Sequence, residues 1–197
     1  MNGHTGSDAA SEPHMDELRL TRLNDPAVIY SLDRRGQRVG EVRPHLPHAS
    51  VLHIGDTAWW LVDDVADGLN RAGASIARRV LTQLLRPRQY SLREAGTERV
   101  LARMRQRWRW APKKNGIEVE IGAARYFLRV TGAWSGRFVL EDAAGVACGE
   151  VQRGGFSRWF QSSPALPFAP AETALLLHAA HRIYGTVSDG GGDGSGE

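Results

Sequence analysis

The sequence predicts a mainly β domain with some helix (β+α), built from roughly ten short antiparallel strands, and three observations carry that reading. Apolar residues recur with a period of two over most of the chain, as in Val28-Tyr30-Leu32, Tyr126-Leu128-Val130 and Phe138-Leu140. That alternation belongs to half-buried strands. Two hairpin-like units repeat in turn between residues 30 and 151. One 15-residue segment near the C-terminus is apolar nearly all round. Antiparallel strands in such number close into a barrel or stack as a sandwich.

Composition bounds the reading. A chain of 197 residues makes one domain or at most two small ones. With 42% hydrophobic and 24% charged residues it is too apolar for wholesale disorder. The single cysteine, Cys148, excludes an internal disulfide and any multi-cysteine metal cluster, and favours a reducing compartment. The longest apolar run, Ala174 to Leu177, falls far below the roughly 20 residues of a membrane-spanning helix. The polar N-terminus MNGHTGSDAASEPHMDE lacks the apolar stretch of a secretory signal. The expected location is cytoplasmic, with peripheral attachment to a membrane open.

Residues 1–25 read as a flexible acidic segment of charge −3, in which Met15–Leu23 suggests a short helical turn broken by Asn24-Asp25-Pro26. The folded domain is expected over 26–185. Its first unit is Tyr30-Ser31-Leu32, then Gly36, then Val39-Gly40-Glu41-Val42. The second copy is Tyr90-Ser91-Leu92, Gly96 and Val100 to Met104; the third is Phe138-Val139-Leu140, Gly145 and Cys148-Gly149-Glu150-Val151. From the aromatic to the small residue (Gly40, Ala102, Gly149) the separations are 10, 12 and 11, so only the turn varies in length. A second unit interleaves with these: Ile54-Gly55 through Trp59-Trp60-Leu61 matches Ile121-Gly122 through Tyr126-Phe127-Leu128.

Two segments read as helix. Gly73–Leu85 places Ile76, Val80, Leu81, Leu84 and Leu85 on one stripe and stops at Pro87, giving one extra short helix between two pseudo-repeated halves. Pro170–Tyr184 opens with Pro at the first helical position, ends before Gly185 and has little polar face, so it must be enclosed. At about 22 Å it is too short for a bilayer and about right to thread a barrel. Phe156 to Phe160 reads as a last strand, and 186–197 (TVSDGGGDGSGE) as a disordered tail of charge −3.

The repeated Tyr-x-Leu…Gly…Val-Gly-x-Val hairpin, followed by one apolar helix, resembles the tubby C-terminal-like superfamily. The likeness is to its LURP-one-related and phospholipid-scramblase-like branch. It rests on Tyr30-Ser31-Leu32-Asp33 with Val39-Gly40-Glu41-Val42, on Phe138-Val139-Leu140-Glu141-Asp142 with Gly149-Glu150-Val151, and on the helix Glu172–Tyr184. It would cover roughly Pro26 to Tyr184. The resemblance implies a closed antiparallel barrel of about twelve strands around a central apolar C-terminal helix. Its motifs are structural, not catalytic, and the expectation that accompanies it is a non-enzymatic binding or membrane-peripheral module. No acidic calcium-loop pattern accompanies it, and no phosphoinositide-binding Lys/Arg pair can be matched residue by residue.

The net charge of +3 conceals 23 basic against 14 acidic residues in Pro26–Gly185, which points to an anionic partner. The basic character concentrates in Leu101–Trp110. As a strand, this turns Arg103, Arg105, Arg107 and Arg109 to one face and Ala102, Met104, Trp108 and Trp110 to the other. Lys113 and Lys114 extend the stripe. Guanidinium forks suit phosphate oxygens, with lysines as point charges. The competing reading is a solvated face paired across to Glu118 and Glu120. Candidate partners are an anionic phospholipid or membrane surface, an acidic protein, or single-stranded nucleic acid stacking on Trp108 and Trp110. A third class, an enzyme, would use a pocket at the barrel mouth near His178, His181 and Tyr184.

Other features read as structural. His178 and His181 have the i, i+3 spacing of a metal pair but no third ligand nearby in sequence. Trp59-Trp60 reads as core and rim, Asp63-Asp64…Asp67 as a solvated turn, and Cys148 as a small filler. No nucleophile elbow, P-loop, dinucleotide fingerprint or His-Glu-x-x-His is present. No cofactor or metal is expected.

Overall fold

The computed structural model describes residues 17–75, 77, 82, 87–97, 99–107, 116–131, 136–154, 158–164 and 166–184. Among them run β1 (Leu18–Arg22), β2 (Tyr30–Arg34), β3 (Gln37–Leu46), β4 (Ala49–Ile54), β5 (Thr57–Asp63), α1 (Asp64–Arg71), β6 (Gln89–Glu94), β7 (Val100–Gln106), β8 (Gly116–Ile121), β9 (Ala124–Val130), β10 (Arg137–Asp142), β11 (Ala147–Gly154), β12 (Trp159–Ser162) and α2 (Pro170–Tyr184). The twelve strands form one closed barrel in which each pairs antiparallel with its sequence neighbour and β12 pairs with β1. Of barrel and sandwich, the chain takes the barrel.

Closure depends on a segment expected to be a helical turn. Leu18, Leu20 and Arg22 alternate with Arg19 and Thr21, and both leucines are buried. A single isolated helical turn has little stability in water. Between β12 and β2 the same residues gain two ladders, with Leu20 opposite Phe160 on one side and Leu32 on the other. The folded part therefore begins before Pro26.

Three hairpins share one register. In β2–β3, Tyr30 lies opposite Val42 and Leu32 opposite Gly40. In β6–β7, Tyr90 faces Met104 and Leu92 faces Ala102. In β10–β11, Phe138 faces Val151 and Leu140 faces Gly149. Each pairing slips by one residue directly after the leucine. All six aromatic and leucine side chains are buried. The small residue is required by space: a Cβ on Gly40 would collide with the His53 carbonyl, and one on Gly149 with the Leu166 side chain.

The acidic run after β5 is α1, not a solvated turn. Asp63 caps it by accepting from the Ala66 amide at 3.0 Å. Asp64 and Asp67 then turn toward the barrel wall, where Arg93 reaches both at 2.6 and 3.3 Å. Asp64 also accepts from the buried Ser91 hydroxyl at 2.7 Å. Buried opposite charges outweigh solvation for these two carboxylates because each finds a cation and further hydrogen bonds. The expected helix over Gly73–Leu85 lies mostly outside the described residues, as do all five of its stripe positions.

Twelve of the fifteen α2 residues are buried. Its start is capped from within, the Glu172 carboxylate accepting from the Ala169 amide at 2.9 Å. The helix packs against β1 and β12 and also against β6, β7 and β8. Leu175, Leu176, Leu177, Ala179 and Ala180 are fully enclosed, which is where the all-round apolar pattern has its use.

Candidate functional site

Strand β7 alternates as expected. Ala102, Met104 and Gln106 are buried, while Arg103 and Arg105 are exposed on the outer wall, with Arg107 just past the strand end. The antiparallel register sets Arg103 opposite Glu120 and Arg105 opposite Glu118. Yet the ion pairs to those acids come from elsewhere: Arg107 reaches Glu118 at 3.6 Å and Arg125 reaches Glu120 at 3.5 Å. Among the described residues, no acid pairs with Arg103 or Arg105 within 4 Å, and the paired-face reading holds only for Arg107. Arg103 also borders a surface cavity of about 380 Å³ in which Arg71, Arg93 and Arg103 face Asp64 and Asp67. Arg107 lies over the Phe127 ring, 5.6 Å from its centre. Arg109, Lys113, Lys114, Trp108 and Trp110 lie outside the described residues.

Elsewhere on the barrel wall, arginines pair across strands, as in Arg129–Glu141 and Arg137–Glu150. Such exposed pairs contribute about 0–1 kcal/mol each. They matter here because they set Arg103 and Arg105 apart.

A second polar cluster sits against α2. Tyr30 from β2 and His181 meet at 3.2 Å between hydroxyl and Nδ1. The ring of His178 stands edge-on to both Tyr30 and Tyr90, with centres 5.4 and 5.8 Å apart. Tyr30, Tyr90, Asp63, His178 and Arg182 line a cavity of about 290 Å³. Burial drives the His178 imidazole down to about 3, helped by the charges of Arg182 and His181, so it is neutral near pH 7. Burial raises Tyr30 and Tyr90, against the opposing charge of Arg182. Asp63 is raised by the same loss of water, against the helping bond from Ala66.

These shifts move the titration of the imidazole and both phenols away from neutral pH, and that of Asp63 toward it. General acid–base catalysis works best with groups poised near the working pH. The imidazole and the phenols are therefore poorly placed to move a proton near pH 7. Of the mouth residues that the sequence singled out, His178 faces the cavity and His181 joins it to Tyr30. Tyr184 does not line it; its ring packs on Phe138 with centres 4.8 Å apart. Sequence reasoning missed Tyr30, Tyr90, Asp63 and Arg182. The available signal was that Tyr30 and Tyr90 occupy the same position in the repeated unit.

Among the described residues no cluster of three His, Cys, Asp or Glu gathers as a metal site, and no helix is long and apolar enough to cross a membrane. Trp59 packs against the core, Trp60 lies beside His45, and Phe160 points inward while Trp159 stacks under Arg19. No family model, no curated protein and no solved structure matches the chain.

Proposed function

We propose that the chain is a non-enzymatic binding module of tubby or LURP-one-related kind, with α2 running through the barrel and an anionic phospholipid surface docking on the outer face of β7. The helix reading is supported by contacts from strands six steps apart in the ring, β1 and β7. It is supported too by Tyr30, Tyr90, Phe138 and Phe160, from β2, β6, β10 and β12, which all touch α2 side chains. A helix filling the barrel axis favours recognition at the mouth and the outer wall over a central cavity. The shared hairpin register supports three four-strand units, β2–β5, β6–β9 and β10–β12 with β1, in place of the two halves expected.

The observation that carries the binding reading is the pair Arg103 and Arg105, two exposed guanidiniums on one face of β7 with no acid within 4 Å among the described residues. Phosphate oxygens suit them in number and geometry. The test is co-sedimentation of the full chain with vesicles of phosphatidylcholine alone or mixed with phosphatidylserine. Binding is expected only with the anionic lipid, is expected to fall with salt, and is expected to drop in Arg103→Glu/Arg105→Glu. Equal binding to neutral vesicles overturns the proposal, as does an unchanged double variant.

A further inference from the structure

The cavity of about 290 Å³ beside α2 has a polar floor and an apolar lip. The lip is formed by Ile29 and by Pro44, Leu46 and Pro47 of the β3–β4 hairpin. Leu46 is 48% exposed, one of two large apolar side chains left in water among the described residues. The floor holds Tyr90, His178 and Arg182. Tyr90 and His178 are 2% and 6% exposed; the Tyr90 hydroxyl lies against the Arg182 guanidinium, and among the described residues Nδ1 of His178 has no hydrogen-bond partner. The Arg182 guanidinium, held at the floor beside Tyr90 and exposed on its outer side, is the charged group that a ligand in the cavity can reach.

The charges select the ligand. Arg182 is the one exposed side chain in the last two turns of α2, and its backbone carbonyl is held by the Arg88 guanidinium. Asp63 also faces the cavity, but its carboxylate is engaged with the first turn of α1. Among the described residues Arg182 is the one guanidinium lining the cavity, since Arg88 is held on its backbone carbonyl. With a committed carboxylate beside it, this favours a single negative charge over a dianion. The lip calls for an apolar body. The volume lies at the small end of ligand pockets.

We propose that this cavity binds a small organic monocarboxylate: its carboxylate on the Arg182 guanidinium that Tyr90 steadies, and its apolar body under Ile29, Pro44, Leu46 and Pro47. The site is separate from the β7 face, and neither proposal depends on the other.

The test is calorimetric titration of the full chain with benzoate and hexanoate, against benzamide, hexanamide and inorganic phosphate. The carboxylates are expected to bind, and the amides of matching shape at least about tenfold more weakly, since only the former bring a charge to the guanidinium. Arg182→Gln is expected to weaken benzoate or hexanoate about tenfold or more, and Tyr90→Phe about threefold to tenfold. Leu46→Asp, at an exposed position that folding tolerates, sets a negative charge on the lip and is expected to weaken them likewise, so the result does not hang on Arg182→Gln remaining folded. No binding of either carboxylate up to about 10 mM overturns the proposal. So do equal affinity for the amides, tighter binding of phosphate, or indifference to both Arg182→Gln and Leu46→Asp.

Discussion

The Tyr30 hydroxyl and Nδ1 of His181 meet at 3.2 Å although 151 residues separate them in sequence, fastening β2 to the last turn of α2. Phe138 fills the matching place in the third hairpin, so the ring without its hydroxyl fits that register. Tyr30→Phe is expected to lower stability by about 1 kcal/mol, the net worth of one buried hydrogen bond. The urea midpoint should fall with an unchanged slope; an unmoved midpoint would mean that the bond contributes nothing.

His178 makes the fold sensitive to acid. Its imidazole titrates at about 3 in the folded chain, against 6.5 as its ordinary value. Below 6.5 the unfolded chain takes a proton that the native state refuses, so the His178 contribution is complete above that pH and is lost on acidification toward 3. Between pH 7 and 5 this one site should remove about 2 kcal/mol of stability. Asp63, raised by burial, acts in the opposite sense: its contribution is present below its ordinary 3.8 and is lost as pH rises through its folded value. Denaturant melts of His178→Leu against wild type at both pH values isolate the histidine, and parallel pH profiles would refute it.

Arg93 and Arg129 are both paired, yet removing them should differ sharply. The Arg93 side chain is 13% exposed and is shared by Asp64 and Asp67, themselves largely buried. Arg93→Met leaves Asp64 without its cation, while Asp67 keeps Arg71 and His48, and is expected to cost about 3 kcal/mol. Arg129, half exposed and paired with Glu141, is expected to change stability by less than about 1 kcal/mol when replaced by Met. Thermal unfolding of the two variants side by side decides it.

Gly40 and Ala102 hold the same register position, opposite Leu32 and Leu92. Gly40→Ala drives a methyl at the backbone carbonyl of His53, which has no rotamer by which to yield. A loss of about 2 kcal/mol is expected. Ala102→Gly merely frees the backbone and should cost about 0.5–1 kcal/mol. Chemical denaturation that ranks the two the other way round would contradict the packing described for these hairpins.

How much was legible in the sequence follows from where the signal lay. The hairpin strands show themselves because each alternates inward and outward residues around a fixed aromatic, leucine and small residue; Tyr30, Tyr90 and Phe138 fall at one register. The helix Pro170–Tyr184 was equally plain, since an all-round apolar segment demands enclosure. By contrast, Leu18–Arg22 is five residues whose pattern fits a turn of helix or a strand, and only the neighbours β12 and β2 decide between them. Asp64 and Asp67 looked solvated because Arg93, the cation that draws them in, lies 26 to 29 positions away. The mouth cavity was half visible. His178 was suspected from its helix, but its partners come from β2, β5 and β6, and no local spacing reports that convergence.

The pairing of β1 with β12 also governs when the domain can finish folding. Leu18 donates from its amide to the Ser162 hydroxyl across 144 residues. A ribosome delivering this chain exposes β1 early, while its two-sided place in the ring does not exist until Ser162 has emerged. Until then β2 and the growing end present open strand edges, the surfaces on which chains aggregate. Closing a loop that long is slow, so this barrel is completed only after β12 has emerged, and its yield should respond to whatever shields those edges in the meantime.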